Sequence, residues 1–144
     1  MKLLISACLL GARCRYDGAS KAHPEVLKLA ERHTLVPVCP EQLGGLATPR
    51  VPAERQGDVV TTREGTDVTE AYRRGAEEAL RLYRLLGCEA AVLKEKSPSC
   101  GCGQIYDGAF TRTLTEGDGV AAELLKAHGI PVYGESGIKN LLEQ

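Results

Sequence analysis

The sequence predicts an α/β fold, because short apolar runs alternate with helical patterns along the chain. Four runs have the continuous apolar character of strands buried on both faces: Lys2–Ser6, Thr34–Val38, Ala90–Lys94 and Ile130–Gly134. Strands that alternate with helices typically form a parallel sheet covered on both faces. We therefore expect a Rossmann-like three-layer sandwich with a mainly parallel sheet of about four strands in one domain, residues 1–144.

The helical patterns carry their own start signals. Pro24 suits the first position of a helix through "HPEVLKLAERH". The strongest pattern runs from Asp67 to Leu86, where Asp67 and Glu70 resemble a capping box. Its apolar stripe comprises Val68, Tyr72, Ala76, Ala79, Tyr83 and Leu86. Two further helices are expected in "DGVAAELLKAHG" and from Gly137 to Glu143.

Two segments depart from simple alternation. Residues Pro40 to Thr66 form a long connection rich in Gly, Pro and charge, and long connections in compact domains are usually functional. After Gly103, "QIYDGAFT" is typical of a hairpin with Asp107-Gly108 at its turn.

The composition excludes several classes of function. With 18 basic and 19 acidic residues the net charge is −1, which gives no strong case for nucleic-acid or membrane attraction. Aromatic residues make up 4% and tryptophan is absent, so an extended base-stacking platform for nucleic acid is not expected.

The N-terminal "MKLLISACLLGARC" resembles the core of a signal peptide but is too short to span a bilayer. The segment "KLLIS" fits a first buried strand equally well, so we expect a cytoplasmic protein. In that compartment the six cysteines are expected to be buried, reactive or metal-bound rather than paired in disulfides.

Three cysteines follow three of the predicted strands. Cys8 comes after the first strand, Cys39 ends the second, and Cys100 lies in the loop beyond the third. Because parallel strands end at the same edge of the sheet, where ligands bind, we expect these three thiols to meet.

Thiolate ligation favours zinc or an iron–sulfur cluster, and three ligands leave one position open for a substrate. The absence of C-x-x-C argues against zinc ribbons and thioredoxin-like sites. Cys88 is expected to pack in the core. Cys14 is interpreted as a loop residue, with a fourth ligand or a substrate contact as alternatives, and Cys102 as a competing ligand or a sulfur-carrying thiol.

Groups suited to acid–base chemistry accompany the three thiols. Glu41 lies two residues after Cys39, and Ser97 lies shortly before Cys100. Lys94 and Lys96 could lower thiolate pKa values or pair with an anion. Most neighbouring loop residues are interpreted as ordinary turn residues.

Four motifs together resemble the thiouracil desulfidase family: "SACLLG" with "CRYDG", "PVCPEQLGGLATPRVPAE", "GTDVTEAYRRGA" and "KEKSPSCGCGQIYDGAFT". The combination is specific, although each piece alone is weak. The resemblance covers the chain from Met1 to at least Gly134.

The resemblance implies a non-redox desulfidase acting on small thiolated nucleobases or nucleosides such as thiouracil. It implies a [4Fe–4S] cluster held by Cys8, Cys39 and Cys100, whose unique iron binds the thiocarbonyl sulfur. Glu41 and Ser97 correspond to the proton-handling groups, with Ser99 as an equally near hydroxyl.

Two other classes of function are kept as alternatives. One is a non-enzymatic zinc- or thionucleotide-binding module whose fourth ligand is Cys14 or Cys102. The other is a persulfide sulfur carrier with Cys102 as the mobile thiol.

Overall fold

The computed structural model describes residues 1–144 and contains a four-stranded parallel sheet. Two antiparallel hairpins accompany it, one formed by β3 and β4 and the other by β6 and β7. The strands are β1 (Lys2–Ser6), β2 (Thr34–Val38), β3 (Ala53–Gln56), β4 (Val59–Thr62), β5 (Ala90–Leu93), β6 (Gln104–Tyr106), β7 (Leu114–Glu116) and β8 (Val132–Gly134). The main sheet has the order β2-β1-β5-β8, with every neighbouring pair parallel.

Helices cover both faces of this sheet. They are α1 (Pro24–Lys28), α2 (Pro40–Leu43), α3 (Thr69–Leu85), α4 (Val120–Ala127) and α5 (Lys139–Leu142). Short 3₁₀ segments occupy Ala7–Leu10, Leu29–Glu31 and Glu135–Gly137. The predicted α/β sandwich is therefore confirmed.

The alternating side chains of the central strands divide the core in two. Leu3 and Ile5 of β1 face one core, which also contains Val26 of α1 and Leu141 of α5. Leu4 faces the other core, with the buried sides of α3 and α4. Because both faces of β1 and β5 are covered, these strands have the continuous apolar sequence that predicted them.

The beginning of α3 differs from the predicted capping box. The helix begins at Thr69 after Val68, which makes no side-chain capping bond. Asp67 instead accepts a hydrogen bond from the Thr69 N–H at 2.9 Å, and the Thr69 hydroxyl binds the backbone of Val60 in the β3–β4 hairpin. The predicted stripe also extends past both ends of the helix, since Val68 precedes its first residue and Leu86 follows its last residue and is exposed.

Both irregular segments hold more structure than predicted. The long connection from Pro40 to Thr66 contains α2 and the β3–β4 hairpin. Asp107-Gly108 does not form a tight turn, because the β6–β7 pairing leaves residues 107–113 as a loop between the strands. The paired strands end too early for a two-residue connection.

None of the helices combines the length and the apolar character that crossing a membrane requires.

Candidate active site

The ends of three neighbouring strands carry the predicted cysteines to one edge of the sheet. Ser6 at the end of β1 is in register with Val38 at the end of β2, so Cys8 and Cys39 leave the sheet at the same level. Cys100 follows β5, which pairs with the other side of β1. All three thiols line one cavity of about 420 Å³ at the carboxyl edge.

Cys14 belongs to the same group, which corrects its interpretation as a simple loop residue. Its side chain is buried and lines the cavity with the three predicted thiols. The loop that carries it folds back beneath the sheet edge, since the Lys21 N–H donates to the Cys8 carbonyl at 3.0 Å. The Cys39 thiol contacts the Cys14 carbonyl at 3.8 Å.

The thiols of Cys14, Cys39 and Cys100 favour their protonated forms when no cation is bound. Burial raises the pKa of Cys100 to about 12, although hydrogen bonds from Ser6 and Ser99 act in the opposite direction. The hydrogen bond to Cys14, followed by burial, raises the pKa of Cys39. Bonding from Cys39 lowers the pKa of Cys14, but the hydrogen bond to Cys8 and burial outweigh it, so the net direction is upward. A bound cationic centre would reverse this preference.

The two remaining cysteines lie away from the cavity. Cys88 is buried in the core on the α3 side, as predicted. Cys102 lies beside the Val132 carbonyl at 3.7 Å and is not among the residues that line the cavity. This placement contradicts the interpretation of Cys102 as a competing ligand.

Glu41 is fixed at the cavity wall by side chains from distant parts of the chain. It occupies the first turn of α2, directly after the Cys39 cap. One carboxylate oxygen accepts a hydrogen bond from Arg50 Nε at 3.0 Å, in an ion pair whose side chains are only 9% and 13% exposed. The same guanidinium donates to the Cys14 carbonyl at 2.9 Å, so Arg50 links the carboxylate to the thiol group. Buried Tyr72 of α3 lies beside the carboxylate as well.

The predicted serines form a hydrogen-bonded chain that ends on Glu41. The Ser97 oxygen accepts from the backbone N–H groups of Ser99 and Cys100 at 3.1 and 3.2 Å. These bonds occupy its acceptor sites, so its own hydrogen points to the Ser99 oxygen at 3.0 Å. Ser99 in turn donates to the second oxygen of Glu41 at 2.9 Å. Ser99 therefore contacts the carboxylate directly, and Ser97 reaches it through Ser99.

The cationic side chains on the cavity wall differ in whether a carboxylate pairs with them. Lys94 forms a largely buried ion pair with Glu135 at 3.1 Å, so its charge is already matched. Five other cations on the cavity wall have no carboxylate within ion-pair distance: Arg15, Lys21, Arg63, Lys96 and Arg112. The wall also carries the unpaired carboxylates of Glu54 and Glu95, so cations remain in excess there although the whole chain is nearly neutral.

The donor chemistry of the cavity fits a thiolate-bound iron–sulfur cluster. Several thiols converge there, and soft sulfur ligands suit iron–sulfur clusters and zinc rather than hard cations. No three His, Cys, Asp or Glu side chains lie close enough together to hold a single metal ion. The cavity volume is within the range that accommodates a polyatomic group with a small molecule.

Three residues of the site had no distinctive sequence signal. Cys14 and Arg50 lie in turn-rich segments, and Tyr72 was assigned only to the apolar stripe of its helix. Their contacts depend on how the loop after β1 and the connection after β2 fold against α3. The spacing of Cys8, Cys39 and Cys100 was informative because it follows the strand pattern directly.

Comparisons with known proteins agree with this fold and indicate a family. The 2-thiouracil desulfurase family model matches residues 3–137. The chain is 42% identical over 150 residues to the "Uncharacterized protein YbbK" of Bacillus subtilis (strain 168), covering 97% of this chain and 99% of that relative. It is also similar to the solved structure of a "[4Fe-4S]-dependent thiouracil desulfidase TudS", with 47% identity and a TM-score of 0.89. That match covers 97% of this chain and 94% of the other.

Proposed function

The chain belongs to the 2-thiouracil desulfurase family, and from this premise we propose that it is a [4Fe–4S]-dependent desulfidase of thiolated nucleobases. The cluster is held by Cys8, Cys39 and Cys100. The observation that carries the proposal is that these thiols follow three neighbouring strands and line one cavity. The similar solved protein is described as a [4Fe–4S]-dependent thiouracil desulfidase, which supports the choice of cofactor.

The overall reaction exchanges sulfur for oxygen without net oxidation or reduction: a thiocarbonyl and water give a carbonyl and hydrogen sulfide. When bound, the cluster supplies a soft Lewis acid that polarises the carbon–sulfur bond. The protein must then place a water near the ring carbon and accept its proton.

Glu41 is the group proposed to accept that proton. Its carboxylate lies on the cavity wall, and Arg50 and Ser99 fix its two oxygens separately. Proton transfer requires a base held in a defined position, and contributes about 10²–10⁴-fold to rate in enzymes. As the carboxylate becomes protonated, Ser99 can turn its hydrogen away and accept a hydrogen bond from the new acid, because a hydroxyl both donates and accepts.

The substrate class follows from the wall of the cavity. Its size suits a single small heterocycle rather than a folded macromolecule. The excess of unpaired cations on its wall favours molecules with negative charge, so the proposed substrates are thionucleobases and their derivatives, including anionic ones. All six cysteines are free thiols, which supports a cytoplasmic location.

The reaction can be tested with anaerobically reconstituted protein, 2-thiouracil and water enriched in heavy oxygen, without a reductant. We expect many equivalents of sulfide per chain, an equal amount of uracil, and the heavy isotope in the new carbonyl. Binding without turnover would favour the binding module instead. Transfer of a single sulfur per chain would favour the carrier.

A further inference from the structure

The loop between β6 and β7 presents the chain's one phenylalanine to the cavity. Phe110 is half-buried and lies on the cavity wall. Its backbone has a φ of 58°, in the left-handed region that non-glycine residues rarely adopt. The other non-glycine residues with positive φ are Lys96 and Arg112, which line the same cavity. Backbone conformations of this kind cluster at functional sites.

Glu54 of β3 holds the loop in this conformation. One oxygen of its carboxylate accepts hydrogen bonds from the N–H groups of Gly108 at 3.0 Å and Phe110 at 3.2 Å. Gly108 has a φ of 98°, and a Cβ added there would lie 2.9 Å from the Gln56 Cβ. The β3–β4 hairpin therefore fixes the loop, and the strained backbone of Phe110 is stabilised from outside.

The Phe110 ring is also supported by a cation. The guanidinium carbon of Arg63 lies 5.7 Å from the ring centroid, a cation–π distance. Arg63 forms no ion pair, so the aromatic ring is its charged group's nearest specific partner. The ring is thus held by backbone and side-chain contacts while remaining on the cavity wall.

We propose that Phe110 is a specificity-determining residue that stacks on the flat ring of the substrate. This inference rests on the proposed function and names the feature of the substrate that is selected: a planar, unsaturated heterocycle bearing the thiocarbonyl. An aromatic face binds any planar base, and its removal typically weakens binding about 5- to 150-fold. The corresponding ring with its carbon–carbon double bond saturated is puckered and gains little from the same surface.

The test compares 2-thiouracil with its dihydro derivative, which keeps the thiocarbonyl but has lost the ring double bond. In Phe110→Ala we expect KM for 2-thiouracil to rise about tenfold or more, with kcat nearly unchanged. KM for the dihydro compound should change less than about threefold, because its puckered ring gains little from stacking. Phe110→Trp should keep the preference for the planar ring.

Two further variants separate stacking from packing. Phe110→Leu retains an apolar side chain without an aromatic face, and should lose the preference as Phe110→Ala does. Leu85→Ala, at a 68% exposed position on α3, should leave both KM values unchanged. Unfolding midpoints establish that each variant is folded.

Calorimetric titration of each protein with both compounds gives the same comparison without turnover. An unchanged KM and affinity for 2-thiouracil in Phe110→Ala and Phe110→Leu, or equal losses for both compounds, would overturn the stacking role while leaving the desulfidase reaction intact. Absence of turnover in the cluster-loaded wild type would instead count against the proposed function, and the titrations would still decide the role of Phe110. If the wild-type protein binds neither compound, the stacking role of Phe110 is also overturned.

Discussion

Glu41 illustrates how single residues acquire a function from contacts that are distant in sequence. Its carboxylate receives one hydrogen bond from Arg50 in the long connection and one from Ser99 in the loop beyond β5. Arg50 also donates to the Ala47 carbonyl and the Thr48 hydroxyl at 3.1 and 3.0 Å, so its guanidinium cannot turn away from the carboxylate without breaking several bonds. The base is positioned before substrate arrives.

Removing the carboxylate charge should abolish most activity while leaving the cluster in place. Glu41→Gln keeps an oxygen for Arg50 but cannot accept the proton, so we expect kcat to fall about 10²–10⁴-fold. Iron content and the visible spectrum should match those of the wild type. Wild-type kcat in this variant would exclude Glu41 as the base.

The serine chain should show graded effects. Ser99→Ala removes the direct bond to Glu41, so we expect a larger loss of kcat than in Ser97→Ala, which removes the outer link. Ser20→Ala, at a loop position outside the cavity, serves as the matched control. Equal kcat values in all three variants would show that the chain has no part in proton transfer.

At the scale of the elements, α4 anchors the loop that carries Ser99 and Cys100. The backbone N–H of Val120 donates to the Pro98 carbonyl and that of Ala121 to the Ser99 carbonyl, both at 2.8 Å. The first N–H groups of a helix lack partners within the helix. Here they bind the site loop instead, so the position of α4 determines the position of Cys100.

Gly119, immediately before α4, lies too close to this loop for a side chain. A Cβ added there would be 2.4 Å from the Ser99 carbonyl carbon and 2.7 Å from the Cys100 nitrogen. We expect Gly119→Ala to lower the free energy of unfolding by about 1–3 kcal/mol through overpacking. We also expect this variant to retain less iron than the wild type. Gly137→Ala, where a Cβ would meet nothing within 4 Å, is the control. Equal stability and iron retention in both variants would contradict the anchoring role.

The sequence predicted those elements whose pattern depends on burial alone. The bounds of β1 and β2 agree with the predicted Lys2–Ser6 and Thr34–Val38, and β5 and β8 are slightly shorter than predicted. In contrast, β3 has the sequence "AERQ", whose polar side chains do not have the apolar pattern of a buried strand. This strand pairs only with β4 of its own hairpin. The extent of the β6–β7 loop was missed because Glu54, far along the chain, fixes its conformation.

The same distinction applies to the site residues: those that follow a strand could be predicted, and those placed by loop contacts could not. Cys8, Cys39 and Cys100 could be placed because each follows a strand, and topology then brings them together. Cys14 could not be placed, since its burial depends on the return of its loop to the carbonyl of Cys8. Arg50 likewise has no local pattern that predicts its bond to Glu41.

At the scale of the whole molecule, the packing of α3 links the core to the site. Tyr72 and Tyr83 lie on the buried side of this helix. Burial raises the pKa of Tyr72, with Glu41 as a further cause, and burial likewise raises that of Tyr83. The folded state therefore holds these phenolic protons more tightly than the unfolded chain does.

A loss of stability in alkaline solution follows from this linkage. Because the folded-state pKa values lie above the unfolded value of about 10, the stabilisation is complete below that pH and is lost as pH rises above it. Denaturant unfolding of the cluster-free protein at neutral pH and above pH ~10 should show this decrease. Tyr72→Phe should reduce the pH dependence, whereas Tyr16→Phe, at an exposed position, should not. If the free energy of unfolding depends on pH equally in the wild type, Tyr72→Phe and Tyr16→Phe, the linkage is contradicted.

The convergence of strand-end thiols on one cluster is tested most directly by iron and sulfide analysis after anaerobic reconstitution. Wild-type protein should hold about four irons and four sulfides per chain. Cys8→Ser, Cys39→Ser and Cys100→Ser should each lose most of this content, while Cys14→Ser, Cys88→Ser and Cys102→Ser should retain it. Full iron content in any of the first three variants, or loss of the cluster in Cys14→Ser alone, would contradict the assignment.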